Sequence, residues 1–279
     1  MIFAITVQFD NIRNSSLSLD KQNGRLVKKL EGGFINKVYL ENSVVVKSFT
    51  NDALVGISST ERALNEMVAL RIFGGIVAPR LISYDDMVIR QEFIEGELYE
   101  ARARRGENVF EESGAILAQI HNICSSDQPL SFYYENRFKK AINLAEPLLK
   151  AEGLSPTFNV SWMTVSEFGS RYIHGDFWLG NIIGKPGERP RVIDWEFSGT
   201  GSPFEDFAIA DLWIFREFPN SSPDFWRGYG KKPDQETVNF FLVLRCVEFL
   251  ATTTPENYSL EEEDGFYHNK VAVLRTLLS

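Results

Sequence analysis

The sequence predicts an α+β protein in which a small sheet comes first and helices follow. Short β-branched runs around one helix occupy the first 93 residues, and helical periodicity takes over from Glu107. One stretch breaks that division, a hairpin between Asn181 and Ile193 with Asp176, Asn181 and Asp194 gathered at its ends. With 279 residues, 44% of them hydrophobic, the chain can bury a sizeable core as one large domain or two lobes.

Charge and cysteine usage narrow the classes of function. A net charge of −9 argues against a nucleic acid or an anionic membrane surface as partner, because both attract basic proteins. Cys124 and Cys246 are too few and too far apart for a disulfide framework or a metal cluster, which fits a reducing cytoplasm. The apolar start, Met1 to Val7, lacks a basic flank and a cleavage site and reaches Asp10 well short of a membrane span, so no targeting segment is read.

In the first third, Ile2–Phe9 is a candidate strand followed by a polar stretch that ends at Gly24. Gly32-Gly33 then makes a turn between strand-like runs. Glycines allow backbone N–H groups to approach an anion, and Val38 on the next strand could pack against a ring; an ordinary hairpin has the same signature. Ser43 to Phe49 is a β-branched strand with Lys47 on the face of Val45 and Phe49, where an ammonium needs an anionic partner unless the strand end is open to water. A helix follows, with N-caps at Ser58 to Thr60 and a stop at Gly74-Gly75. Ala63, Glu66, Met67 and Leu70 form its apolar stripe, so Glu66 requires a cation while Glu61 faces solvent. Past Pro79, Arg80–Ser83 and Met87–Phe93 read as strands around an Asp85-Asp86 turn.

The most informative stretch is His174-Gly175-Asp176, then Asn181 five positions after the aspartate, then Ile193-Asp194-Trp195-Glu196. Folding the hairpin back on itself brings Asp176, Asn181 and Asp194 to one end. This set suits phosphoryl transfer, which needs an acceptor for a hydroxyl proton and hard oxygen ligands for Mg²⁺. These residues resemble the catalytic and metal motifs of the aminoglycoside phosphotransferase and choline kinase-like families, relatives of the protein kinases. Gly175, and the Trp-Glu that follows Asp194, point to the small-molecule branch.

The resemblance implies a bilobal protein kinase-like fold, with a small antiparallel-sheet N-lobe over residues 1–93 and a larger, mainly helical C-lobe over 94–279. It implies ATP and Mg²⁺ as cofactors and a small-molecule hydroxyl as acceptor. It assigns Asp176 as the catalytic base, Asn181 and Asp194 to the metal, and Lys47 paired with Glu66 to the nucleotide phosphates. Gly33, Asn36 and Val38 would cover the nucleotide, and the backbone of Glu92, Phe93 and Ile94 would bind adenine. His174 and Asp206 would brace the catalytic loop.

Beyond the linker, Ser113, Leu117, Ile120, His121 and Cys124 share a helix face, which makes His121 a core histidine. Residues 131 to 151 form a helix containing Pro147, and Phe158, Trp162 and Phe168 read as core aromatics. Gly199 to Pro203 reads as a loop before an acidic helix start at Glu205-Asp206. Val238 to Leu250 is a buried helix, Glu261 to Asp264 an acidic run, and Val271 to Leu278 an amphipathic tail. The expected activity is transfer of the ATP γ-phosphate to an aminoglycoside, to choline or ethanolamine, or to a sugar or amino sugar. The rivals are an inactive nucleotide-binding module of the same fold and a metal hydrolase built on His174 and Asp176. Three histidines in the whole chain make the hydrolase site hard to assemble.

Overall fold

The computed structural model describes residues 27–29, 36–50, 57–123, 125–126, 131–155, 169–252 and 264–278. The expected strand at Ile2–Phe9, Gly33, Cys124, Phe158, Trp162, Phe168 and the side chains of the acidic run lie outside them.

The first layer is a five-stranded antiparallel sheet in the order β1-β2-β3-β5-β4, formed by β1 (Val27–Lys29), β2 (Lys37–Glu41), β3 (Val44–Ser48), β4 (Leu81–Asp85) and β5 (Val88–Glu92). Two-residue turns set its register. Glu41 pairs with Val44 across Asn42 and Ser43, at φ 49° and 65°, and Asp85 pairs with Val88 across Asp86 and Met87, at φ 36° and 71°. Both turns have the doubly positive φ that matches strand twist. The second therefore falls one residue later than the Asp85-Asp86 turn expected from the sequence. Cross-strand partners share a face, and Lys47 is flanked by Val38 on β2 and Ile89 on β5, all three buried.

Helix α1 (Ser59–Phe73) packs on this sheet. Ser58 and Glu61 form a reciprocal capping box, and Gly74 donates its N–H to Leu70 O to close the helix. Glu61 is exposed as expected, whereas the buried stripe includes two charged residues, Arg62 and Glu66.

The chain then adds β6 (Glu97–Leu98) and the short α2 (Tyr99–Arg104), an element with no sequence expectation. α3 (Phe110–Ile123), β7 (Ser125–Ser126), α4 (Ser131–Ala151) and β8 (Ser170–Ile173) follow. The expected hairpin is present as β9 (Ile182–Gly184) and β10 (Arg191–Val192), and β6 joins it as a third strand. The expected loop at Gly199 is instead a strand, β11 (Gly199–Gly201), paired with β8 over Arg171 to Ile173. Two glycines in three residues carry no strand signature, so backbone pairing alone defines it.

The helical part closes with α5 (Pro203–Ala210), a π-helical turn at Asp211–Phe215, α6 (Ser222–Tyr229), α7 (Gln235–Thr252) and α8 (Asp264–Leu278). α3 and α6 cross backbone to backbone. A Cβ on Gly114 would lie 2.0 Å from Phe225 O, and one on Gly228 would lie 1.8 Å from Glu111 O. α7 is buried on nearly all sides, with Phe241 against Tyr134 of α4 (4.9 Å) and Phe204 of α5 (5.9 Å). Among the described residues no helix is long and apolar enough to cross a membrane.

Candidate active site

β8 ends at Ile173, and after His174 the chain turns. Gly175 adopts φ 79°, and a Cβ there would stand 2.2 Å from Phe197 O, so both conformation and space demand glycine. Asp206, at the start of α5, holds this turn from below: Oδ2 accepts the His174 N–H at 2.8 Å and Oδ1 the Gly175 N–H at 2.7 Å. His121 Nε2 reaches the same carboxylate at 3.0 Å, and its Nδ1 meets the Tyr229 hydroxyl at 2.9 Å. Burial opposes ionisation of Asp206, but the His121 hydrogen bond and the backbone donors outweigh it and hold the carboxyl below its ordinary range. His121 is thus a satisfied core histidine, as its helix face suggested.

His174 is engaged at both nitrogens. Nε2 lies 3.0 Å from Ile193 O, which requires the proton there, and Nδ1 accepts the Asp176 N–H at 3.3 Å. Burial lowers its pKa, so the ring is neutral. Bound to backbone on either side, it ties the turn to the hairpin and has no lone pair left for a substrate.

Asp176 is 2% exposed. Asn181 Nδ2 donates to its Oδ2 at 3.1 Å and to its backbone oxygen at 2.8 Å, while Oδ1 is buried with no hydrogen-bond partner. Burial, reinforced by the charge of Asp194, pushes this carboxyl up to about 7. The Asn181 amide, with its nitrogen turned toward Asp176, keeps its oxygen for another ligand. Its backbone accepts the Ile193 N–H at 2.9 Å, which brings the two ends of the hairpin together.

Asp194 follows at φ 63°, left-handed backbone that non-glycine residues adopt at a cost and that clusters at functional sites. Its neighbour Trp195 anchors it, stacked on Phe73 at 4.9 Å and donating Nε1–H to Val192 O at 2.7 Å. Asp194 Oδ1 accepts a hydrogen bond from Lys47 Nζ at 2.5 Å, and Glu66 Oε2 accepts another at 2.5 Å. The ammonium also sits 5.0 Å from the centre of the Phe49 ring. Burial works against its charge, but Asp194, Glu66 and Glu196 more than compensate and raise its pKa. Burial pushes the Glu66 carboxyl up, and the Lys47 charge opposes that shift. The expected Lys47–Glu66 ion pair is present, and it extends to Asp194.

The remaining expected residues divide. Val38 is buried beside Lys47 on the sheet. Glu92 ends β5, its N–H bonded to Arg80 O at 2.9 Å and its side chain accepting the Arg80 N–H at 3.2 Å, and Phe93 and Ile94 continue half-buried. Asn36 faces inward: Nδ2 donates to Glu196 at 2.6 Å and Oδ1 accepts from Arg62 at 3.2 Å, so its amide belongs to a buried network. Sequence reasoning passed over that network and over Arg245, whose Nη2 reaches Gly175 O at 3.3 Å. The stripe that singled out Glu66 also runs through Arg62, one turn earlier, and was the signal to follow.

The hard oxygens of Asp194, Asn181 and Asp176 at one end of the hairpin, one of them buried and unpartnered, fit a divalent cation and a hydroxyl acceptor. The arrangement can hold anionic phosphate with Lys47 and accept a proton at Asp176.

The fold has relatives among solved structures. A choline/ethanolamine kinase family protein from Mesorhizobium loti superposes with a TM-score of 0.65 at 14% identity, covering 97% of this chain and 95% of that one. Choline kinase from Streptococcus pneumoniae gives 0.59 at 18% identity, with 90% and 93% covered. An ADP-bound aminoglycoside phosphotransferase, APH(2'')-Ib, gives 0.58 at 17% identity, with 90% and 92% covered. A search of curated protein sequences found no match. The sequence model described as the phosphotransferase enzyme family matches residues 27–241, a span that contains Lys47, Glu66, Asp176, Asn181 and Asp194: the chain is a member of that family.

Proposed function

We propose that this phosphotransferase moves the γ-phosphate of ATP to a hydroxyl of a small molecule, with Asp176 as the base. The observation that carries the reading is the buried, unpartnered Oδ1 of Asp176, on a carboxylate pushed up to about 7 and located beside the Lys47–Asp194 pair. A group poised near neutrality, with one free oxygen aimed away from its Asn181 bond, is suited to accept the proton of an attacking hydroxyl. The ADP-bound relative supports nucleotide use at this fold.

Each residue then has a task. Lys47, fixed by Glu66, faces the nucleotide phosphates, and its three carboxylate neighbours keep it charged. Val38 packs on the base, and backbone groups of residues 92 to 94 read its edge at the boundary between a nucleotide lobe and an acceptor lobe. Asn181, through its amide oxygen, and Asp194 would hold Mg²⁺. When bound there, the ion neutralises phosphate charge during transfer. Asp206 and His174 keep the Asp176 turn rigid, so that the acceptor oxygen meets a preset base, and positioning of this kind carries most of the catalysis in phosphoryl transfer.

The acceptor is a small hydroxyl compound, in keeping with relatives named for choline, ethanolamine and aminoglycosides. Cys246, a free thiol deep in α7, is consistent with work in a reducing cytoplasm. A coupled ADP-release screen over aminoglycosides, choline, ethanolamine, sugars and amino sugars tests the proposal. ADP release that depends on one of these acceptors and disappears in Asp176→Asn is the expected result. ATP binding with no acceptor-dependent turnover across the panel would favour the inactive module.

A further inference from the structure

Glu196, the last residue of the Asp-Trp-Glu triplet, helps keep Lys47 charged, and three segments converge on it. Its Oε2 accepts Asn36 Nδ2 at 2.6 Å and Arg62 Nη1 at 2.9 Å, and lies 3.7 Å from Lys47 Nζ. Its backbone oxygen accepts Asn65 Nδ2 at 3.2 Å. Arg62 is completely buried and Glu196 nearly so. Asn36 stands just before β2, Arg62 and Asn65 lie on α1, and Lys47 is in β3, so one carboxylate links the sheet, the helix and the Asp194 turn.

The obvious task for a second carboxylate here is metal binding, since oxygens of Glu66, Asp194 and Glu196 all lie within 4.8 Å of one another. The occupancy of that space argues otherwise. The Lys47 ammonium already stands among the three carboxylates, and Glu196 Oε2 already receives two donors. A cation at Glu196 would have to draw its charge away from a fully buried guanidinium, a costly exchange. Asp194 differs: its side chain is 24% exposed, and among the described residues Lys47 is its ion-pair partner.

The geometry points to Glu196 as a positioning residue: through Arg62 and Asn36 it fastens α1 and the start of β2 to the Asp194 turn, fixes the place of Lys47, and leaves the metal to Asp194. Helix α1 is thereby held against the site from both of its inward turns, Arg62 to Glu196 and Glu66 to Lys47. The phosphate anchor is preset before any nucleotide arrives. This inference rests on the reading of Lys47 as the phosphate anchor.

Calorimetric titration of the full chain with ADP, at a series of Mg²⁺ concentrations, separates the roles, with melting temperature recorded for each variant. Glu196→Gln is expected to weaken ADP binding at saturating Mg²⁺ by roughly tenfold, the scale of one lost charge-assisted contact, and to leave the Mg²⁺ midpoint where it was. Asp194→Asn is expected to move that midpoint upward. Arg62→Met should resemble Glu196→Gln, and the double variant should bind no more weakly than the weaker single, because both act through one contact. Glu196→Asp, which keeps the charge but shortens the reach, makes the same comparison for a variant less prone to misfold. A Mg²⁺ midpoint shifted in the Glu196 variants as far as in Asp194→Asn would make Glu196 a ligand and overturn the inference. Wild-type ADP affinity in them, or losses that multiply in the double variant, would overturn it equally. Lys47→Ala is the separate control: wild-type ADP binding there would fault the anchor reading itself, whatever Glu196 does.

Discussion

Lys47 and Asp194 are 147 residues apart in sequence and share a hydrogen bond of 2.5 Å. The residue proposed to hold phosphate and the residue proposed to hold metal therefore neutralise one another. Nucleotide and cation, arriving together, would exchange that contact for two others without exposing a bare charge. Removing either partner should thus disturb both stability and binding.

Lys47→Ala leaves the buried carboxylates of Glu66 and Glu196 without the ammonium among them. Breaking a buried pair in this way costs on the order of 3–5 kcal/mol, and the Michaelis constant for ATP should rise together with a lowered melting temperature. An unchanged ATP constant and unchanged turnover would remove Lys47 from the site.

Asp194→Asn keeps the shape of the turn and offers a neutral amide in place of a hard anionic ligand. Activity at ordinary Mg²⁺ should disappear and recover in part at raised Mg²⁺. A Mg²⁺ titration identical to wild type would assign the metal elsewhere.

Asp176→Asn should leave ATP·Mg²⁺ affinity near wild type, because its proposed task is to take the acceptor's proton and not to hold the nucleotide. Turnover should fall by about 10²–10⁴, the usual loss of a positioned proton acceptor. His174→Ala provides the contrast: it should lose melting temperature along with rate, since among the described residues its ring bonds backbone at both nitrogens. A folded, ATP-binding but inactive His174→Ala beside a near-normal Asp176→Asn would make the histidine the base.

His174 also makes stability depend on pH. Its folded pKa lies below the ordinary 6.5 because burial disfavours the charged ring, so between those values the unfolded chain binds a proton that the folded chain does not. The His174 contribution to stability should therefore be fully present above pH 6.5 and decline below it, by up to about 1.4 kcal/mol per pH unit for one proton, until the folded ring titrates, while the raised carboxyls of Asp176 and Glu66 act in the opposite direction. Denaturant midpoints between pH 7 and 5 for wild type and His174→Ala measure this. The advantage of wild type over the variant should shrink as the pH falls.

Gly175→Ala tests the turn. A methyl group cannot fit 2.2 Å from Phe197 O, and φ 79° disfavours it further, so the Asp176 loop must shift. Turnover should drop more than ATP affinity does, and equal losses in both would show that the shift reaches the nucleotide side.

The sequence by itself determined the chemistry and the local elements. The spacing of Asp176, Asn181 and Asp194 around a Gly- and Pro-marked turn, the lone Lys47 in a β-branched strand, and Glu66 within an apolar stripe were all readable, because periodicity places side chains on faces and isolated charges there demand partners. Tertiary structure alone decided who those partners are. Nothing local to Asn36 says that its amide turns inward to Glu196, or that Glu196 takes Arg62. Pairings across 160 and 134 residues are set by how α1 packs on the sheet. The same holds for β11, which lacks any strand-forming side chain and exists only because β8 offers it backbone donors and acceptors. Local pattern names the groups that need satisfying, whereas long-range packing chooses the groups that satisfy them.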